Sequence, residues 1–286
     1  VIAGISLTGD DADTALNTAL PAISRGLTKG LSQLQFASEE PSVFVLAVST
    51  GASDGLSGLT DLLDSKAASK GITLVTSNIT AQLSNLTTDP SQLATCVGQI
   101  SAGATAGLPR IISAFSIDTA DQGNLIAAAT AGPTKGLVQL SQQVPLIAQP
   151  SNIGLMLTAI SAGPATKFLE AGFSSEQVPD LLGSAAAGAN SNLGSLGKIS
   201  GIDHSRIADF IETITTSVTN SSTDIHVANF TANATTLNAI GSSIGRNSTN
   251  SLNQIASEMP LFSSVEAVSA IGAITAGTCT ALGSLA

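Results

Sequence analysis

The stretch that decides the fold is Gln99-Ile-Ser-Ala-Gly-Ala-Thr-Ala-Gly-Leu-Pro-Arg-Ile111. Its apolar residues and its two glycines, Gly103 and Gly107, are spaced three or four residues apart, so on an α-helix they lie along one stripe. A glycine inside a helix costs about 1 kcal/mol relative to alanine. Two glycines one turn apart therefore need a structural reason, and close approach of a second helix backbone supplies one.

The same pattern recurs along the chain in ten degenerate copies, spaced by 25 to 34 residues. That spacing accommodates one helix of about 18 residues and a connection. The position of Gly103, which we call the first column, is occupied in turn by Gly26, Gly51, Asn78, Gly103, Gly132, Gly163, Gly188, Ser217, Ser243 and Gly277. The position four residues later, the second column, is occupied by Gly30, Gly55, Gln82, Gly107, Gly136, Lys167, Asn192, Ser221, Asn247 and Ala281. We predict that the glycines of both columns are helix-packing residues.

Helix boundary signals support this interpretation. Asp89 precedes Pro90 with a glutamine at the third helical position, and Ser263 with Glu266 has the spacing of a capping box. Alternating strand patterns are rare, and the chain has no Tyr or Trp. We therefore predict an all-α protein of about ten antiparallel helices joined by short loops, with Gly, Ala and Ser at the helix crossings. The predicted helices lie near residues 11–35, 41–65, 72–86, 90–114, 119–143, 151–171, 175–197, 203–219, 231–257 and 263–285. Residues 1–286 form a single helical-repeat body in this prediction.

Composition excludes several classes of partner. Charged residues make up 10% of the chain, against about 25% in an ordinary soluble domain. The net charge is −10, and the ten Lys and Arg residues are scattered singly. Binding to nucleic acid, or to anionic lipid through a basic patch, has no electrostatic basis here. No 20-residue run predicts a membrane span convincingly, although residues 267–286 are apolar and in register with the repeat.

Six Asn-x-Ser/Thr patterns predict N-linked glycosylation in a secretory pathway. These are Asn78, Asn85, Asn220, Asn229, Asn233 and Asn247. Four of them fall between residues 220 and 247, where the apolar stripe is weakest, so we expect that segment to face outward. The sequence therefore indicates a secreted glycoprotein, in which N-linked glycans keep that face soluble.

The two cysteines, Cys96 and Cys279, form an even number without metal-site spacing. A disulfide between them is the leading interpretation, and two buried free thiols are the alternative. A disulfide would bring their Cα atoms within about 7 Å. The fourth and tenth repeats would then lie side by side.

Motifs for catalysis are few. Gly51-Ala-Ser-Asp-Gly55 matches the GxSxG nucleophile elbow, but that elbow requires a strand, a sharp turn and a helix. Its two glycines recur in other repeats, so the repeat explains the match. His204 and His226 are the only histidines, and solvated or capping roles suit both. We predict no catalytic residue, no metal site and no cofactor, and hence no enzyme.

Residues 116–171 carry four segments that resemble a known family. They are Ile117-Asp-Thr-Ala-Asp-Gln122, Leu125-Ile-Ala-Ala-Ala-Thr-Ala131, Leu137-Val-Gln-Leu140 and the helix over residues 155–169. In a Trp-free chain rich in Ala, Ser and Thr, they resemble the fungal hydrophobic-surface-binding proteins and related cell-wall mannoproteins. The resemblance covers about a fifth of the chain. It implies association with apolar surfaces or lipids.

Two functions remain open from the sequence. The first is a non-catalytic, self-assembling structural subunit of an extracellular wall, coat or filament, whose partners are copies of itself. The second is a binder or carrier of lipids or apolar surfaces, with a cavity lined by residues such as Leu155, Met156, Phe168, Phe173 and Phe262.

Overall fold

The computed structural model describes residues 41–60, 63–199, 202–225, 230, 233–259 and 262–285. Within these ranges the secondary structure is helical and no strand occurs, which confirms the all-α prediction. The helix predicted over residues 11–35, with Gly26 and Gly30, lies outside the described residues. The nine longer helices are α1 Pro41–Gly55, α2 Ser65–Ala81, α3 Pro90–Ala106, α4 Gln122–Gln143, α5 Pro150–Ala162, α6 Val178–Asn190, α7 Arg206–Asn220, α8 Ala234–Glu258 and α9 Ser264–Leu285.

The helices form two layers. The odd layer contains α1, α3, α5, α7 and α9, and each packs side by side with the next member of the layer. The even layer contains α2, α4, α6 and α8, arranged in the same way. Consecutive helices alternate between the layers. Neighbouring helices of one layer run parallel, as the successive glycine contacts of α3 with α1 and of α4 with α2 show.

Helix starts follow from local capping. The Asp89 carboxylate accepts a hydrogen bond from the backbone N–H of Gln92 at 2.8 Å, as its position before Pro90 predicts. Helix α2 begins at Ser65 and not near residue 72 as predicted. Its start is set by Asp64, whose carboxylate accepts from the Ala67 N–H at 2.7 Å. This cap satisfies one of the unpaired donors of the first turn.

Short helices follow several long ones, where the sequence predicts one continuous helix. The predicted helix over residues 90–114 divides into α3 and Leu108–Ala114. Pro109 lies in the first turn of the second piece, where its missing N–H costs no helical bond. The predicted helix over 175–197 likewise divides into α6 and Leu193–Leu196.

The core lies between the two layers. The residue directly after the second column is a leucine or phenylalanine in most repeats, and it anchors the helices in this core. In five of the repeats it is fully buried, at Leu83, Leu108, Leu137, Phe168 and Leu193.

Candidate functional site

Neighbouring helices of one layer meet through the first column. The Cα atom of a first-column glycine lies against a backbone carbonyl of the preceding helix in the layer. That carbonyl belongs to the residue five positions before the first-column residue of the preceding helix. In four contacts a Cβ built on the glycine would lie 2.5 to 2.8 Å from this carbonyl oxygen, a distance that real Cβ atoms do not adopt, and Gly188 lies closer still to the Ala127 carbonyl. The distance is 2.5 Å for Gly103 and Leu46, 2.6 Å for Gly132 and Thr73, 2.5 Å for Gly163 and Gly98, and 2.8 Å for Gly277 and Glu212.

The second column makes the same contact one turn later. A Cβ on Gly107 would lie 2.8 Å from the Thr50 carbonyl oxygen, and one on Gly136 would lie 2.5 Å from that of Ser77. Since Gly103 meets Leu46 and Gly107 meets Thr50, α1 and α3 run parallel. In each case only a glycine permits the observed approach without movement of a backbone.

Each of these helices has two distinct faces. The column face carries the first and second columns. The socket face receives the column face of the next helix in the layer, and on α1 it consists of Leu46, Ser49, Thr50 and Ser53. Helix α3 uses both faces, because Gly103 packs on α1 while Gly98 and Ser101 receive Gly163.

Most hydroxyl groups on the socket faces are paired with backbone carbonyls of the same helix. Ser49 donates to the Val45 carbonyl at 2.7 Å, and Thr76 donates to that of Ile72 at 2.7 Å. The Thr130 hydroxyl also reaches across the contact to the Ala185 carbonyl of α6, at 3.0 Å. These hydroxyl groups are satisfied without water, whereas the Ser53 hydroxyl on the socket face of α1 has no partner among the described atoms.

Serine and asparagine replace glycine in the later helices. The Ser217 hydroxyl donates to the Thr158 carbonyl at 2.8 Å, so it makes a first-column contact with α5. In the even layer, Asn192 at the second column donates through Nδ2 to the Ala131 carbonyl at 3.1 Å. A polar side chain at these positions thus bonds to the carbonyl that a glycine would approach.

Helix α8 is displaced by one turn from the predicted alignment. Ser251 donates to the Ala187 carbonyl at 3.4 Å, which is the second-column contact, and Asn247 lies against Gly183. Asn247 therefore occupies the first column, and the assignment of Ser243 to it was wrong. With this correction the first-column residues of α7, α8 and α9 are spaced 30 residues apart. Leu252 then directly follows the second column, and it is buried like the leucines at that position in other repeats.

Among the described residues, nothing covers the outer faces of the two helices that end the odd layer. On α1, a Cβ built on Gly51 or Gly55 would meet no described atom within 4 Å. On α9, Val265 and Val268 are 75% and 69% exposed. These outer helices are also the two described segments, Pro41–Leu59 and Ser264–Ser284, whose length and apolar composition would suffice to cross a membrane. By length and composition alone this is weak evidence for a span.

The GxSxG pattern lies entirely within α1, without a strand or a sharp turn. Ser53 is fully buried in the α1–α3 contact, where its Cβ faces Gly107. In the described part of the chain its hydroxyl has no hydrogen-bond partner. A substrate cannot reach this side chain without separating the two helices.

The titratable residues do not assemble into a site in the described ranges. No group of three or more His, Cys, Asp or Glu residues there could hold a metal ion. His204 is half-buried just before α7, and its Nδ1 has no partner among described atoms. His226 lies outside the described residues. Ion pairs instead cross helix contacts, as between Arg110 and Asp54 at 2.7 Å.

The predicted disulfide is absent, because both cysteines are free thiols in the structure. Cys96 is buried in α3 and Cys279 is exposed on α9. Helices α5 and α7 lie between them in the odd layer, which keeps the thiols apart. Burial raises the pKa of the Cys96 thiol from 9.0 to about 11, since the thiolate would lose its hydration.

The predicted glycosylation sites differ in exposure. Asn85, Asn220 and Asn233 are exposed. Asn78 is half-buried, and its Nδ2 donates to the Leu74 carbonyl at 2.7 Å. Asn247 is half-buried in the α6–α8 contact, so residues 220–247 do not all face outward as expected. Asn229 lies outside the described residues.

The residues predicted to line a lipid cavity do not come together around one. Met156, Phe168 and Phe173 are buried, and the two phenylalanine rings pack edge to face with centroids 5.7 Å apart. Leu155 is 44% exposed, and Phe262 is half-buried. An open cleft of about 440 Å³ crosses the even layer instead, and small or polar side chains line it, including Thr73, Asn124, Ala187 and Asn250.

No family model matches the chain, and no curated protein matches it.

Proposed function

We propose that the protein is a non-catalytic structural subunit that assembles with copies of itself in an extracellular wall, coat or filament. The observation that carries this proposal is the exposure of apolar side chains on the helices at both ends of the odd layer. Val43 on α1 is 52% exposed, and Val265 and Val268 on α9 are more so. Large exposed apolar patches mark interaction sites on proteins, and we assign this role to the outer faces of α1 and α9.

The secreted location belongs to the same proposal. Asn85, Asn220 and Asn233 are exposed acceptors for N-linked glycans. None of the three lies on α1 or α9, so glycans attached there would leave the assembly surfaces uncovered. They would also supply the solubility that a chain with 10% charged residues lacks.

The second candidate is a binder of lipids or apolar surfaces. The exposed apolar helices α1 and α9 favour it, and the resemblance to hydrophobic-surface-binding proteins implies it. The absence of the expected lining residues around a common cavity favours attachment to a surface over enclosure of a single lipid.

One experiment separates the two candidates. The protein is purified from a eukaryotic secretory host and examined by sedimentation velocity and negative-stain microscopy over a hundredfold concentration range. Flotation with phosphatidylcholine vesicles is measured in parallel. Ordered, concentration-dependent polymers support the structural subunit. A monomer that floats with the vesicles contradicts it and supports the second candidate.

A further inference from the structure

We propose that copies join head to tail, with the column face of α1 in one copy packed on the socket face of α9 in the next. This inference rests on the proposed function and specifies the contact through which the subunits assemble. The new contact would continue the odd layer from chain to chain, with the register that its four internal contacts already use.

Helix α9 carries a complete socket face that no other described helix covers. Its members are identified by the number of residues that separates them from the first-column residue in the sequence. The first-column residue is Gly277 on α9 and Gly51 on α1. The socket residues Leu46, Ser49, Thr50 and Ser53 of α1 correspond in order to Gly272, Thr275, Ala276 and Cys279 of α9. In α1 these positions receive Gly103 and Gly107 of α3. In α9 all four residues are exposed.

Helix α1 carries the complementary half. Gly51 and Gly55 occupy the first and second columns, and both are exposed. On α3 and α4 the corresponding glycines are buried against the preceding helix of the layer. In the part of the chain that the structure describes, the layer thus ends with an unoccupied column face on α1 and an unoccupied socket face on α9.

The chemistry of these faces favours a second copy over a lipid surface. Each internal glycine costs helix stability, about 1 kcal/mol relative to alanine. Contact with acyl chains would not offset this cost, because a lipid packs equally well against a helix that carries side chains at these positions. A second helix that packs as closely as Leu46 packs on Gly103 does require glycine, because a Cβ atom would clash with its carbonyl oxygen.

The internal contacts predict the register of the new one. Gly51 would meet the Gly272 carbonyl of the next copy, as Gly103 meets that of Leu46. Gly55 would lie beside Cys279 of the next copy, because the Ser53 Cβ lies 2.9 Å from a Cβ built on Gly107. Two different faces meet in this contact, so it leaves each end free to add another copy.

The test uses one substitution on each face. Gly51→Leu fills the column face of α1, and Ala276→Arg places a charge in the socket face of α9. Both positions are exposed, so each variant should fold, which circular dichroism verifies. Gly154→Leu is the matched control, because Gly154 is also helical with no described atom within 4 Å of a built Cβ.

We expect wild type and Gly154→Leu to polymerise, and each face variant alone to remain monomeric in sedimentation velocity. An equimolar mixture of the two face variants should form a dimer and stop, because each supplies the intact face that the other lacks.

The alternatives give different results. Polymers formed by Gly51→Leu or Ala276→Arg alone would overturn this contact and leave the proposed function standing. Face variants that are monomeric alone and fail to pair when mixed would overturn the head-to-tail arrangement. Disulfide dimers of wild type through Cys279 would also do so, because they would show two α9 helices face to face. A wild type that never assembles would overturn the proposed function together with this inference.

Discussion

Gly103 lies so close to the Leu46 carbonyl that a Cβ on Gly103 would be 2.5 Å from the carbonyl oxygen. The two residues belong to α3 and α1, which are neighbours in the odd layer. The carbonyl is already bonded within its own helix, so the contact joins two complete helices through their backbones. This relationship explains why glycine is retained inside a helix.

The first prediction concerns this contact. Gly103→Ala should lower the free energy of unfolding by about 1–3 kcal/mol, because the added Cβ forces α1 and α3 apart. Gly154→Ala should raise it by about 0.5–1 kcal/mol, because that site has room and alanine favours the helix. Urea unfolding of both variants measures the difference. Equal effects at the two positions would show that Gly103 does not occupy a close contact.

The second prediction concerns Thr130, whose hydroxyl bonds to the Ala185 carbonyl across the α4–α6 contact at 3.0 Å. Thr130→Val should destabilise the protein by about 0.5–1.5 kcal/mol more than Thr76→Val. Both threonines are fully buried, but the Thr76 hydroxyl bonds only to carbonyls of its own helix, Ile72 and Thr73. Thermal and urea unfolding should separate the two variants. Identical losses would indicate that the bond between helices contributes nothing.

Much of the architecture could be predicted from the sequence because the glycine columns have a local cause. Gly103 and Gly107 interrupt an apolar stripe at helical spacing, and this pattern indicates a backbone contact wherever it occurs. The pattern does not identify which helix provides the carbonyl. Periodicity describes one helix at a time, whereas the pairing of α1 with α3 depends on the alternation of helices between two layers.

The wrong predictions have similar physical origins. In α8 the columns hold Asn247 and Ser251 in place of glycine. Without glycines to mark the columns, the sequence alignment of this repeat is displaced by one helical turn. The disulfide was inferred from an even number of cysteines. That count carries no information on distance, and two helices of the odd layer separate Cys96 from Cys279.

The third prediction concerns the two thiols. In the monomer at pH 8, iodoacetamide should label Cys279 and leave Cys96 unlabelled until the protein unfolds.

Because the Cys96 pKa is raised to about 11 in the folded state, its contribution to stability is complete below about pH 9 and is lost as the pH rises toward 11. The stability advantage of wild type over Cys96→Ala should therefore shrink by about 1–3 kcal/mol over that range. Rapid labelling of Cys96 in the folded protein, or failure of both thiols to react before reduction, would contradict this assignment.

The last prediction concerns which asparagines carry glycans. Asn233 caps α8 by accepting the Thr236 N–H at its Oδ1, 3.0 Å away, and this bond does not use the Nδ2 atom to which a sugar attaches. Asn85 and Asn220 are exposed as well. The Nδ2 of Asn247, in contrast, lies against Gly183 and donates to the Ser243 hydroxyl at 3.3 Å. A glycan there would have to separate α6 from α8.

We therefore expect glycans on Asn85, Asn220 and Asn233, and none on Asn247, in protein secreted from a eukaryotic host. Asn78 should also be bare, because its Nδ2 bonds to the Leu74 carbonyl. Intact glycopeptide mass spectrometry reads each site, and the matched variants Asn220→Gln and Asn247→Gln provide the control. The first should remove the mass of one glycan, and the second should remove none. A fully occupied Asn247 would contradict the α6–α8 contact, whereas bare asparagines at every site would remove the main support for secretion.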